Sequence, residues 1–435
     1  MKTLNFTDLK KSIDQNEIGR EMYTLIAELY PICRSITGHG FRKTLEVLRR
    51  HIPLKVNEVP SGTNVFDWVV PKEWNIKDAY IKNSKGEKIV DFQKSNLHVV
   101  NYSVPVKKVV SLKELKEHLF TLPDRPDWIP YRTSYYREDW GFCLSHSLFL
   151  ELEEGEYEVF IDAKLENGSL SYGEFYLQGE EEDEVLISCH ACHPSLANDN
   201  LSGVSLAALL AKQISTVKHR YSYRFLFIPG TIGAITWLAL NEEKAANIKH
   251  GLVLSGVGDG GNVSYKKSRR GNADVDRAAG HILKQSGDVY EIMDFSPYGY
   301  DERQYCSPGF NLPVGCFSRT PYGKYPEYHT SADNLDLVHP RSLGDSFLKV
   351  LSILEVLEEN GIYLNLNPKC EPQLGKRGLY ISIGLNEMAM LWVLNLSDGN
   401  NTLLDIAERA GMKFDAVFSA AKTLCEHNLL KKVIS

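Results

Sequence analysis

The chain has 435 residues, 43% hydrophobic and 24% charged, with a formal net charge of −7, a composition ordinary for a soluble globular protein of two or three domains. That charge offers no attractive surface to nucleic acid or to an anionic membrane, and no apolar run approaches the roughly 18 residues of a spanning helix. Eight cysteines, with no apolar segment of signal-peptide type at the N-terminus, read as reduced thiols in a cytoplasmic protein.

In chain order, residues 17–50 carry apolar side chains at helical spacing. They fall at Ile18, Met22, Leu25, Ile26 and Leu29, and again at Leu45 and Leu48, around a turn-rich loop at 35–40. Residues 55–110 read differently. Short β-type runs around Val56, Val59, Val65, Trp68 and Val70, then 79–81 and 88–92, are split by Pro, Gly and Asn. They predict an antiparallel β domain inserted over 55–130, beside the catalytic pocket, with an aromatic connector returning from it through Tyr135, Tyr136 and Trp140. From about 150 strands and helices alternate. Residues 157–162 and 170–177 are strands around an Asn167–Gly168 turn. Buried strand candidates at 185–187, 224–228, 251–254 and 314–317 are interleaved with helical runs at 202–214, 234–243 and 273–286. Such alternation implies an α/β fold, a mostly parallel sheet flanked by helices. Residues 1–54 and 131–370 are assigned to this α/β domain, and 377–435 to a small C-terminal domain of helices closing on a strand.

The densest chemistry lies in 185–203. An apolar run from Val185 to Ile187 ends in Cys189, His190, Cys192 and His193. Nine residues after His190 comes Asp199, followed by Asn200, Ser202 and Gly203 at the start of an Ala/Leu-rich helix. Open α/β sheets bind ligands beyond the carboxyl ends of their strands, and neutral imidazole and carboxylate are usual zinc ligands. Two rival readings fit less well. Covalent haem attachment at 189–193 needs export, which the N-terminus does not support. A redox Cys-x-x-Cys normally opens a helix directly, whereas Pro194 and about ten loop residues intervene here.

Other loops beside predicted strands offer Asp259, then Asp301, Glu302 and Arg303, then Tyr328 and His329. Each alone reads as an ordinary polar loop. Their recurrence beside strands is the arrangement of an active site in an open α/β sheet.

The order strand, His190, Asp199-Asn200-x-Ser202-Gly203, helix, and a late Tyr328-His329-Thr330-x-x-Asp333 resembles the zinc-dependent aminopeptidases of the leucine aminopeptidase and transferrin-receptor type. Longer strings at 66–68, 96–98, 129–136, 140–143, 192–195 and 301–305 resemble a bacterial aminopeptidase-like branch of that family. The branch carries an inserted β domain and a C-terminal winged helix and is linked to polysaccharide biosynthesis. The likeness covers nearly the whole chain. It implies a metallopeptidase fold, a zinc cofactor and attack on a peptide bond. By position it makes His190, Asp199 and His329 metal ligands, while His193, in the branch's own Cys-His-Pro string, competes with His190.

The departures carry as much weight. Those peptidases place a Glu–Glu pair after the next strand, the first as general base and the second as ligand. Gly230 and Thr231 stand there instead, and near Ser255, where a final acidic ligand is expected, the nearest carboxylate is Asp259. A positioned base is worth roughly 10²–10⁴ in rate. Two missing carboxylates also remove charge that would hold a second dication. The expectation is therefore about one zinc per chain, with weak or absent activity on simple aminoacyl substrates. Glu302 is the candidate substitute base, and Asp301, Arg303 and Tyr328 are candidate substrate-binding residues. Restoring the pair by Gly230→Glu with Thr231→Glu is expected to raise hydrolysis if the pocket is otherwise intact, or equally to misfold the loop through two added carboxylates. Two functions stay open: a metal-dependent hydrolase of a peptide or small amide bond, and a non-hydrolytic binding or regulatory descendant in polysaccharide biosynthesis.

In 377–435 six Lys/Arg balance six Asp/Glu. Specific DNA binders need clustered basic charge to neutralise phosphates. The helix–turn–helix rhythm there is therefore read as a winged-helix module for protein contact or homo-oligomerisation rather than for nucleic acid.

Overall fold

The computed structural model describes residues 5–379 and 386–433. Its framework is an eight-stranded sheet in the order Lys55–Pro60, Ser169–Leu177, Ser222–Ile228, Glu184–His190, Ile248–Leu254, Val314–Ser318, Val263–Lys266, Tyr290–Met293. The four central strands are parallel, with Ser222–Ile228 and Ile248–Leu254 on either side of Glu184–His190 and Val314–Ser318 beyond. Every residue of Glu184–His190 and Ser222–Ile228 is buried, as expected for parallel strands covered on both faces. The chain leaves Glu184–His190 for one neighbour and later returns on its other side. The crossovers therefore diverge at the carboxyl end of this strand, where open α/β sheets form their binding crevice. His190 is its last residue.

Two strand assignments differ from the sequence reading. Lys55–Pro60, expected in the inserted domain, pairs antiparallel with Ser169–Leu177 at the edge of the main sheet. Glu156–Glu166, expected in the α/β domain, belongs to a four-stranded antiparallel sheet ordered Lys88–Asp91, Glu73–Lys82, Glu156–Glu166, Val106–Ser111. Its buried positions alternate (Tyr157, Val159, Ile161, Ala163), the mark of an antiparallel strand with one face on the core. Ser169–Leu177 is buried almost throughout its middle and suits the larger sheet. The Asn167–Gly168 turn thus passes the chain between two sheets instead of closing a hairpin.

The chain forms two compact units, residues 1–273 with 291–348, and residues 274–290 with 349–435. Both sheets lie in the first. The second contains helices Asn386–Leu396, Leu403–Ala410 and Phe414–Glu426. With the antiparallel sheet Asp398–Thr402, Ile362–Asn365, Leu430–Lys432, they make a winged-helix arrangement. Thr402 and Asp405 form a capping box at the start of Leu403–Ala410, and Gly411 at φ 65° ends that helix. Residues 274–290 and 349–370, read from the sequence into the α/β domain, belong to this second unit. There Arg277 pairs with Asp405 at 2.6 Å and Glu408 at 2.5 Å. Positions 380–385 and 434–435 of the expected C-terminal domain lie outside the described residues. Among the described residues, no helix is long and apolar enough to cross a membrane.

Candidate metal centre

His190 brings Nε2 to 2.9 Å from Asp199 Oδ1. His193, on the loop that follows, brings Nδ1 to 3.9 Å from the same oxygen. His329 brings Nε2 to 3.1 Å from Asp199 Oδ2. One fully buried carboxylate is therefore shared by three imidazoles, and the ligand atoms of His190, His193 and Asp199 lie within 4.8 Å of one another. The two histidines that competed in the sequence both reach Asp199. Among the described residues, His193 Nδ1 is buried with no hydrogen-bond partner, and His329 Nε2 and Asp199 Oδ2, 3.1 Å apart, are buried with no hydrogen bond of good geometry. Buried polar atoms are rarely left so. Three of them around one small space fit a bound cation, and nitrogen plus carboxylate donors fit zinc.

The electrostatics agree. Burial alone would pull the His190 imidazolium down, but the hydrogen bond and charge of Asp199 outweigh it and raise its pKa. Burial lowers His193 to about 3 against the pull of Asp199, leaving a neutral imidazole, the form that binds metal. Asp199 is raised by burial, yet the surrounding histidines hold it well below the usual carboxylate range. Burial also pushes the Cys189 thiol up and the Cys192 thiol up to about 12. Both stay protonated, so neither offers the thiolate that metal or redox chemistry needs.

Several elements hold the ligands in place. The Asp333 carboxylate accepts from the amides of Asn198 (2.6 Å) and Asp199 (3.0 Å). Asn200 Nδ2 donates to His190 O at 3.2 Å and Leu254 O at 2.9 Å, tying the loop to two strand ends. Arg34, fully buried, donates through Nε to His193 O at 2.9 Å and through a terminal nitrogen to Leu29 O at 2.6 Å. The Tyr131 amide donates to His329 O at 2.8 Å, and its ring meets His193 and His329 edge-on at 5.2 and 5.1 Å. Tyr328 stacks on His329 (4.0 Å) and Tyr300 on His190 (5.3 Å). His329 itself sits at φ 56°, a backbone region uncommon for non-glycine residues and enriched at functional sites.

The remaining predicted residues divide. Glu302 is fully buried and accepts from Lys266 Nζ at 2.8 Å through one oxygen, while the other has no hydrogen-bond partner among the described residues. Arg303 lies over the Tyr298 ring at 5.7 Å. Asp301 is 1% exposed, with no hydrogen-bond partner for either oxygen among the described residues. Asp259 accepts from Asn198 Nδ2 (3.0 Å), Thr320 Oγ1 (2.7 Å) and the Gly261 amide (2.7 Å), which leaves it structural. Sequence reasoning gave no role to Arg34, Tyr131 or Asp333. Asp333, as the last member of the Tyr-His-Thr-x-x-Asp string, and Tyr131, within the 129–136 string, carried a signal, and Arg34 none.

The fold is that of the zinc aminopeptidases. A zinc aminopeptidase from Bacillus subtilis matches 78% of this chain and 95% of its own with a TM-score of 0.57 at 12% identity. An aminopeptidase from Aneurinibacillus sp. strain AM-1 matches 81% and 96% with a TM-score of 0.52 at 14% identity. The chain belongs to the family described as a domain of unknown function, DUF4910, which matches residues 23–360, and a winged helix-turn-helix family matches 345–432. A Clostridium acetobutylicum relative, provisionally named a polysaccharide biosynthesis protein with an aminopeptidase-like domain, is 55% identical over 426 residues, covering 97% of this chain and 98% of its own. A crystal structure from the same organism, provisionally named a peptidase, matches with a TM-score of 0.96 at 54% identity over 99% of this chain and 100% of its own.

Proposed function

We propose that the chain is a zinc-dependent, aminopeptidase-like hydrolase of a peptide or small amide bond, with one zinc ion held by His190, His193, Asp199 and His329. The observation that carries this reading is the Asp199 carboxylate, fully buried and approached by three imidazoles at 2.9, 3.9 and 3.1 Å. When bound, zinc supplies Lewis acidity toward the carbonyl of the scissile bond. Asp199 stays ionised to match that charge, and His193 stays neutral and able to donate its lone pair. Tyr131, Tyr300 and Tyr328 pack against the imidazoles and hold their orientation. From Tyr328 the rings continue through Tyr322 to Tyr298 and Arg303, a wall suited to a flat or ring-shaped substrate group.

A single metal follows from Gly230 and Thr231 and from the engagement of Asp259, and it keeps activity on simple aminoacyl substrates weak. The provisional name of the Clostridium relative extends the proposal to an amide-bearing substrate in polysaccharide assembly. The buried, unpartnered Asp301 carboxylate favours hydrolysis over a purely binding role.

Protein purified without chelators should contain about one zinc per chain by elemental analysis. Zinc added to stripped protein at a hundred times Kd should stabilise it by about 2.7 kcal/mol, read as a higher melting temperature. A metal-free protein that takes up no zinc would sink the reading, and two zinc ions per chain would overturn the single-metal count.

A further inference from the structure

Resting on the metal-dependent reading, we propose that Asp301 is the general base of this site, entering from a separate loop the space that Gly230 leaves open. In the peptidases that the chain resembles, the base projects from the position of Gly230. A Cβ built there would lie 3.0 Å from His190 Cβ and 3.7 Å from Asp301 Oδ2. The Asp301 carboxylate thus stands where a side chain on residue 230 would point, next to a metal-ligand candidate. It is 1% exposed, and neither oxygen has a hydrogen-bond partner among the described residues. Burying a carboxylate without donors is costly. A fold that keeps one in this state is holding it toward a small polar molecule rather than toward itself.

Asp301 is fixed from behind. It starts the helix Glu302–Tyr305 without capping it through its side chain. The Tyr305 hydroxyl of that helix lies 2.9 Å from Ser188 Oγ, on the strand that ends in His190. The adjacent Glu302 is held by Lys266 at 2.8 Å and does not compete for the role. Burial pushes the Asp301 carboxyl up to about 7, with His190 and Arg303 pulling it down and Glu302 pushing it up. The other groups that sense its charge, Cys189, Cys192, Tyr305 and Cys316, are kept neutral by burial. A proton affinity near the operating pH lets one carboxylate both take and return a proton.

In the reaction, Asp301 takes one proton from a water molecule as that water's oxygen forms a bond to the amide carbonyl carbon. The carbon–nitrogen bond then breaks with its electron pair leaving on nitrogen, and Asp301 passes the same proton to the departing amine. One water is consumed, a carboxylic acid and an amine are released, and the Asp301 carboxylate is regenerated.

Cobalt(II) is a suitable probe, because its visible spectrum in place of zinc reports charge changes beside the metal. Wild type should bind one cobalt ion per chain and show a spectral step at or below about pH 7, since a nearby dication lowers a carboxyl pKa. Asp301→Asn should lose that step and Asp301→Glu should regain it. Cobalt affinity in Asp301→Asn should fall by less than the roughly 10-fold minimum for losing an outer-shell partner. Failure of wild type to bind cobalt would overturn the metal reading, and this inference with it. Cobalt bound equally by all three proteins, with the same spectral titration, would overturn the base assignment alone. Loss of cobalt from Asp301→Asn would make Asp301 a ligand and overturn it equally. Should Asp301→Asn fail to fold, the Asp301→Glu titration decides: a step displaced from the wild-type pH supports the proposal, and an undisplaced one refutes it.

Discussion

Asp199→Asn should lose zinc affinity by more than the roughly 10–100-fold that removing an outer-shell partner costs. All three imidazoles approach Asp199, at 2.9, 3.9 and 3.1 Å. An amide of the same shape offers one neutral oxygen and an NH2 group, so it removes the negative charge that the three imidazoles share. The backbone of the loop should survive, because Asp333 holds the amides of residues 198 and 199 rather than the Asp199 side chain. The variant should therefore keep the wild-type circular dichroism spectrum while failing to compete with a chelator for zinc. Unchanged affinity in a folded variant would show that this carboxylate is not a ligand, and the proposed centre would fall with it.

What was legible in the sequence follows from what each signal encodes. His190 and Asp199 were readable because a buried strand ending in polar residues, followed by an Ala/Leu-rich helix, places a loop at the carboxyl edge of a parallel sheet. His193 could not be ranked against His190 by spacing, and only the folded loop shows that both reach one carboxylate. Arg34 was not legible at all. It acts through a backbone carbonyl of a residue far along the chain, and no residue pattern records such a bond. The domain borders failed for a related reason. A turn signal such as Asn167–Gly168 says that the chain changes direction, not which sheet receives it, so Lys55–Pro60 and Glu156–Glu166 exchanged places. Asp259 stood in the sequence only as the carboxylate nearest an expected acidic ligand position, and Asn198 and Thr320 consume its oxygens.

Gly230→Glu, which would restore the side chain that the peptidases carry, is expected to damage the site. The sequence alone leaves a gain of hydrolysis open, because it shows the pair missing and only Glu302 as a candidate substitute base. In the folded chain the space is taken. The new Cβ would sit 3.0 Å from His190 Cβ, and the carboxylate beyond it would meet Asp301, whose Oδ2 already lies 3.7 Å from that Cβ. His190 has little freedom to yield, with Nε2 on Asp199 and its ring under Tyr300. Overpacking of this kind costs about 1–3 kcal/mol. Two buried carboxylates forced together cannot both stay ionised, so one takes up a proton or is expelled. Adding Thr231→Glu brings a further charge to the same loop and relieves neither problem. The single and double variants should melt below wild type and hold less zinc, because His190 is the proposed ligand that must move. A variant that keeps the wild-type melting temperature and zinc content, or that gains turnover, would mean that the space beside His190 is free and that Asp301 does not fill it.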